Sequence, residues 1–337
     1  SKDVAEKVGV SRTTVSLVLN NVQGIQISSE TRQRVIDAAH ELGYVPDATA
    51  QALVSRRTKA IGLVLTRSQH HIAADAFLPK IISGLLTTAK KQNIRILVDW
   101  VETEHQESAY FELARAKRID GMILSTPRLN DKALKALENV DIPTVMMGSI
   151  SGSKLPFVDV DNIKAAEKAT SYLIELGHRD IACISNAPPE YTAAPERVAG
   201  YRNVLSRMNV PINEKLVCYA DFDPESGYDC MKSILQSGEK FTAAFVASDN
   251  VAIGAKAALR EANMRIPEDI SLIGFDDIPW AKYSDPPLST IRLPAEALAQ
   301  SACTLLLDMI QGNENRQNNH LILETELIIR QSCKAIQ

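Results

Sequence analysis

At 337 residues, with 45% apolar and 23% charged side chains, the chain has the length of more than one domain and the balance of a packed globular protein, which excludes a disordered polymer. Its longest apolar runs, such as Ile61–Leu65 and Val145–Met147, are strand-length and fall far short of the roughly 20 residues of a membrane span, so no membrane partner is expected. The net charge of −4 argues against a protein coated with nucleic acid, but residues 1–59 carry eight Lys/Arg against six Asp/Glu while the remainder carries 29 against 35.

The run from Ser1 to Lys7 lacks the apolar segment of a secretory leader, and a cytoplasmic location is therefore expected. Five cysteines, at 183, 218, 230, 303 and 333, form no Cys-x-x-Cys pair, and the expectation is small buried thiols in a reducing compartment.

In chain order, Val4, Ala5 and Val8 share one face of a short helix that Gly9 ends. Ser11 then caps a second helix with Val15, Val18 and Leu19 at helical spacing, and a third begins near Ser28, shows Val35, Ile36, Ala39 and Leu42 as its stripe, and stops at Gly43. Two short helices around a tight turn form the DNA-reading hairpin, although helix-Gly-helix alone also fits any three-helix bundle. Ala5, Gly9 and Val15 favour the hairpin, because they supply a small residue at the helix crossing, a turn glycine and a branched core residue.

After Pro46 comes a helix-prone stretch, Asp47 to Leu53, then Arg56-Arg57-Thr58-Lys59. From Ala60 onward, strands at Ile61–Leu65, Ile94–Val98, Gly121–Leu124 and Thr144–Met147 alternate with helices near 77–92, 106–117 and 130–139. The rhythm restarts after Val158-Asp159-Val160-Asp161. Strands at Asp180–Ile184, Val217–Ala220, Ala243–Val246 and Ser271–Gly274 then alternate with helices near 162–176, 195–207, 224–236 and 250–262. Two doubly wound parallel-sheet lobes follow, with helix 294–311 and a last strand at Leu321–Ile329 crossing between them.

The head residues Lys2-Asp3-Val4-Ala5, Gly9-Val10-Ser11, Thr14-Val15-Ser16, Leu19-Asn20, Thr31-Arg32 and Leu42-Gly43-Tyr44 closely resemble the lactose/galactose-repressor family of bacterial regulators. That resemblance implies an all-α helix-turn-helix DNA-binding head (1–45), a hinge helix and linker (46–59), and an α/β periplasmic-binding-protein-like core. The lobes of that core are divided as 60–158 with 290–318, and 159–289 with 319–337.

It further implies a sugar-responsive homodimer on pseudo-palindromic operator double-stranded DNA, with no cofactor and no metal. Arg12 and Thr13 fall where the recognition helix reaches base edges, Ser11, Thr14, Ser16, Asn20, Thr31 and Tyr44 fall at other DNA-contacting positions, and Ala50 with Leu53 lies on a hinge helix that wedges Leu53 into the minor groove. Leu17 stands where an Arg is common, so it either reads a thymine methyl or is silent. Asp47 replaces the usual Asn.

Ligands of open parallel sheets sit at the strands' carboxyl ends, and two facing lobes make one cleft of them. The effector set implied there is Phe77, Asp161, Arg197, Ser248, Asp249, Asp276 and Trp280. Asp249 is the more structural of its pair, and Trp280 is equally suited to a core or dimer interface. A purine or nucleoside effector is the alternative to a sugar.

No Gly-x-Gly-x-x-Gly, Gly-x-x-x-x-Gly-Lys, His-Glu-x-x-His or Gly-x-Ser-x-Gly motif occurs, so no enzyme chemistry is named. A periplasmic sugar-binding protein shares the cleft. It would need an export leader and no head, and the sequence shows the reverse.

Overall fold

The computed structural model describes residues 1–20, 24–45, 57–101, 106–116, 118–129, 131–138, 140–313 and 319–336. The head consists of α1 (Lys2–Val8), α2 (Arg12–Leu19) and α3 (Ser29–Glu41). Gly9 ends α1 at φ 73°, a left-handed conformation that costs a glycine little. The core of the head is Val4, Ala5, Val8, Val15, Val18, Val35, Ala38 and Ala39. Ala38 thus takes the place expected for Ile36 and Leu42, which are 43% and 44% exposed, because three such short helices enclose only a narrow i, i+3, i+4 face of α3.

The remainder is built on two six-stranded sheets among the described residues. The first contains β1 (Ala60–Leu65), β2 (Arg95–Trp100), β3 (Met122–Ser125), β4 (Thr144–Met147), β5 (Phe157–Val160) and, from late in the chain, residues 320–323. Its helices are α4 (Gln69–Ala74), α5 (Leu78–Lys91), α6 (Gln106–Arg115) and α7 (Lys132–Leu137).

The second lobe begins with α8 (Asn162–Glu175) and continues through β6 (Ile181–Ile184), α9 (Ala193–Arg207), β7 (Val217–Cys218), α10 (Pro224–Gln236), β8 (Ala243–Val246), α11 (Asp249–Glu261), β9 (Ser271–Asp276) and β10 (Ser289–Arg292). The chain returns through α12 (Ala295–Gln311), which packs on α5, to β11 (His320–Leu323), and ends with β12 (Glu326–Ile328).

Strand orders are β11-β5-β4-β3-β1-β2 and β12-β10-β9-β8-β6-β7, parallel throughout except for the antiparallel β10–β12 pair. Each sheet reverses its winding beside its first strand, so the crevices at the carboxyl ends of β1/β3 and β6/β8 face a common space. Fully buried strands such as β1 and β9 read as continuous apolar runs because helices cover both faces. Close packing of α10 on α11 depends on Gly254, where a Cβ would lie 1.7 Å from the Pro224 carbonyl oxygen.

Three expectations are corrected. The last apolar run is two strands, because β11 joins the first sheet beside β5 and only β12 joins the second, the chain crossing at Glu324-Thr325. Likewise β10, at 289–292, belongs to the second sheet, and β5 continues to Val160 in the first. The exchange of lobes therefore falls near 161, 293–294 and 324–325 rather than at 158, 289 and 318.

The cysteines are not all free. Cys218 of β7 and Cys230 of α10 form a disulfide, because the helix lies alongside the strand and brings their Cα atoms to 5.7 Å. Cys183 and Cys303 are buried thiols, and Cys333 is a half-buried one.

Candidate functional site

In the head, Val15 and Val18 dock α2 on the other two helices, which turns Arg12 and Thr13 outward into solvent. Ser11 caps α2: its Oγ accepts from Thr14 N at 3.0 Å and lies 2.9 Å from Thr14 Oγ1. Asn20 Nδ2 donates to Ser16 Oγ at 3.1 Å. Thr31 sits in the cap of α3, its N donating to Ser28 Oγ and its Oγ1 accepting from that hydroxyl. Leu17 is half-buried, and Tyr44 packs against the edge of the head core.

Ala50, Leu53 and Asp47 lie outside the described residues. Where the linker re-enters, Thr58 N and Lys59 N donate to the two carboxylate oxygens of Asp120 at 2.6 and 2.8 Å. That end of the linker is therefore fixed to the first lobe.

Between the lobes lies a cavity of about 170 Å³ at the strands' carboxyl ends. Phe77, Arg197, Ser248 and Asp276 line it together. Arg197, on α9, is buried. Its Nε donates to Asn162 Oδ1 at 3.0 Å and its Nη1 to the Ala247 carbonyl at 2.7 Å, the Asp276 carboxylate is 3.9 Å away, and the guanidinium stacks 3.8 Å above the Phe275 ring. Burial holds its pKa below the ordinary arginine value.

Asp276 accepts from Ser248 Oγ at 3.0 Å, and burial pushes its pKa up to about 6 despite Arg197. It ends β9 at φ 115°, a conformation that side chains other than glycine rarely adopt, and Asp277 follows at φ 53°.

The other three effector candidates do not line the cavity. Asp249 is fully buried beneath it, where Oδ1 accepts from Thr290 Oγ1 at 2.7 Å and Oδ2 from Ile278 N at 3.0 Å, tying α11 to β10 and to the chain after β9. Asp161 caps α8 through Lys164 N at 2.9 Å and pairs with Lys164 Nζ at 3.0 Å. Trp280 is 63% exposed ahead of the short turn at 281–283.

Several lining residues escaped the sequence reading: Arg67, Asp159, Asn162, Asn186, Tyr191 and Phe222. Asp159 accepts from Ser149 Oγ and Val160 N, both at 2.8 Å, and its pKa is raised by burial. Arg67 pairs with Asp75, whose Oδ1 also accepts from Phe77 N and Leu78 N at the start of α5. Arg67 Nε and Asn186 Oδ1 are buried with no hydrogen-bond partner among the described residues. Asn186 could have been found from its place just past β6; Tyr191, deeper in the following loop, carried no such mark.

Around the cavity the lobes touch. His70 Nε2 is 3.0 Å from Asp223 Oδ2, His71 Nε2 is 3.3 Å from Asp221 Oδ2, and Lys80 Nζ donates to the Asp277 carbonyl at 2.6 Å. Asn250 Nδ2 donates to the Ala74 carbonyl at 3.0 Å, and Leu129 N to the Glu190 carbonyl at 2.7 Å.

A helix-turn-helix head joined to a two-lobed α/β receptor with a cavity between its lobes defines a ligand-responsive DNA-binding regulator. Residues 2–47 match the family of bacterial regulatory proteins, lacI family, and residues 170–333 the periplasmic binding protein-like domain. The chain is 33% identical to the HTH-type transcriptional regulator CelR of Thermobifida fusca over 98% of this chain and 96% of the relative. It is 35% identical to the HTH-type transcriptional repressor CytR of Escherichia coli strain K12 over 99% and 96%.

Among solved structures, the lac repressor dimer bound to operator and the anti-inducer ONPF superposes with a TM-score of 0.86 at 29% identity, covering 99% of this chain and 98% of that one. A transcriptional regulator CelR–cellobiose complex gives 0.76 at 32% identity, covering 98% of each chain. The chain belongs to the lacI family, and it is a DNA-binding transcriptional regulator rather than an enzyme. No helix among the described residues is long and apolar enough to cross a membrane.

Proposed function

We propose that the chain is a cytoplasmic, homodimeric repressor whose affinity for a pseudo-palindromic operator is set by a small effector, a sugar in the first instance, bound between the lobes. The observation that carries this reading is the anchoring of the linker on Asp120 of the first lobe, which couples the head to a lobe that shares its cavity with the second. Two relatives support it from outside: a lac repressor solved as a dimer on operator DNA, and a CelR solved with cellobiose.

Arg12 and Thr13 read base edges, Arg12 suiting guanine, while Ser11, Thr14, Ser16, Asn20 and Thr31 hold phosphates and fix register. Leu17 and Tyr44 stand beside them in the same interface. Ala50 and Leu53 form the hinge contact in the minor groove. Arg197, Asp276, Ser248 and Phe77 hold the effector, and Asp249 supports them from below.

The reading is tested by selecting operator sequences for the full chain and measuring binding by gel shift. Arg12→Ala lowers specific affinity by about 1–3 kcal/mol and relaxes preference at one base step of each half-site. Leu53→Ala loses DNA bending. Arg197→Ala keeps operator binding and loses the effector response. Sequence-independent binding by the wild type overturns the operator reading, and a full effector response from Arg197→Ala overturns the cleft reading.

A further inference from the structure

The cavity has a charge balance and a size that narrow its ligand. Among the described residues, five charged side chains line it: Arg67 and Arg197 against Asp75, Asp159 and Asp276. Arg67 is neutralised by Asp75 from its own lobe, and Arg197 lies 3.9 Å from Asp276 in the other. Asp159, carried on β5, is the third carboxylate; among the described residues it accepts from Ser149 and Val160 and lies in the field of Arg197. The site is therefore net negative. Burial raises the pKa of both Asp159 and Asp276.

An anionic ligand entering here meets three lining carboxylates against two lining cations, Arg197 being shared between Asp276 and Asp159. At an effective dielectric near 20, two like charges about 6 Å apart weaken binding by roughly a hundredfold.

Polarity points the same way. Asn186 is 8% exposed and, among the described residues, its Oδ1 has no donor and Arg67 Nε no acceptor. A hydroxyl is both donor and acceptor, so a ring carrying several hydroxyls satisfies both, whereas an apolar ligand leaves both unpaired. Phe77, Tyr191 and Phe222 supply flat apolar surface for the C–H faces of such a ring.

Volume sets the last limit. The cavity, at about 170 Å³, is near the roughly 150 Å³ that houses a single six-membered ring and below the roughly 300 Å³ where pockets for larger ligands begin.

We propose that the cavity takes an uncharged, single-ring polyhydroxy compound, a free monosaccharide, and discriminates against its phosphate ester, against disaccharides and against nucleosides. This rests on the reading of the cavity as the effector site. It differs from the cellobiose complex of the CelR relative, whose ligand is named as a disaccharide.

The test uses the full chain without DNA. Thermal shift followed by calorimetry is run with a panel of free hexoses and pentoses, each beside its phosphate ester, together with cellobiose, adenosine and glucosamine. At least one free monosaccharide raises the melting temperature saturably, and its phosphate ester binds about 100-fold more weakly. Asp159→Asn, nearly the same shape without the charge, reduces that discrimination, read as the ratio of the two affinities, to about tenfold or less. Asn186→Ala weakens the sugar about tenfold and leaves the discrimination unchanged.

The inference is overturned if no free monosaccharide binds, if a phosphate ester, cellobiose, adenosine or the aminosugar binds more tightly than every free sugar, or if Asp159→Asn leaves discrimination intact. A sugar that binds as described without altering operator affinity leaves this inference standing and instead defeats the proposed control of DNA binding, so the two failures are distinguishable.

Discussion

Two adjacent carboxylates at the end of β9 are driven in opposite directions by their surroundings. Burial raises both, but at Asp277 the hydrogen bonds from Arg330 at 2.6 Å and Arg292 at 2.7 Å outweigh it and hold the pKa below the usual carboxylate value. Asp276 accepts from Ser248 Oγ and from the Asp249 backbone N–H and has Arg197 at 3.9 Å, too little to offset its burial, and its pKa rises to about 6. The folded chain therefore keeps the Asp276 proton to a higher pH than the unfolded chain, whose value is about 3.9. The cost of ionising Asp276 is absent below about pH 4 and complete above about pH 6, so its contribution to stability falls as pH rises through that window. Asp276→Asn cannot ionise. Melting temperatures measured from pH 4.5 to 7 should show the variant gaining on the wild type as pH rises, and a constant difference would contradict the raised pKa.

At the scale of elements, the Cys218–Cys230 disulfide closes the segment that carries Asp221, Phe222 and Asp223. Phe222 lines the cavity with its edge against Tyr191, and the two aspartates face His71 and His70 of the other lobe. A cross-link spanning so short a loop stabilises a fold by about 3 kcal/mol in the chain-entropy account. Replacing both cysteines by serine should lower the melting temperature and weaken effector binding several-fold while operator binding by the effector-free protein stays unchanged. A melting temperature that neither the replacement nor a dithiol reductant alters would show that the tether contributes nothing.

This bond also marks the limit of sequence reading. Neither cysteine carries a local signature, because the pairing arises from α10 lying along β7, a tertiary event. The strands and helices of both lobes were legible wherever burial on two faces wrote an apolar run, as in β4 and β8. The strand β10 was missed because Ser289-Thr290-Ile291-Arg292 contains one aliphatic residue, Ser289 and Thr290 being buried with their hydroxyls bonded to Arg330 N and Asp249 Oδ1. The same effect hid Asp159. It sits inside a strand between two valines and turns its carboxylate into the cavity, whereas Asp161, two residues on, is a helix cap. Polar residues at strand ends could be nominated from sequence; which of two neighbours faces the cleft depends on where the strand stops.

For the molecule as a whole, control of DNA requires that an effector prefer one arrangement of the lobes, and the preference is limited to interactions that exist in that arrangement alone. The contacts across the cleft rim are of this kind. Lys80 Nζ to the Asp277 carbonyl is the one furthest from ambiguity, since Lys80 does not line the cavity and its removal leaves every lining side chain in place. A hydrogen bond donated by a charged ammonium contributes about 1.5 kcal/mol net, or roughly tenfold in an equilibrium. Lys80→Ala should therefore raise the population of open lobes and weaken effector binding by about that factor. Operator affinity without effector should stay within twofold, because the Thr58–Asp120 and Lys59–Asp120 contacts that fix the linker lie within the first lobe. Calorimetry with the effector and gel shift without it separate the two quantities. Unchanged effector affinity would mean that closure of the lobes is not part of binding, and loss of operator binding would mean that the closed arrangement, rather than the open one, holds the heads on DNA.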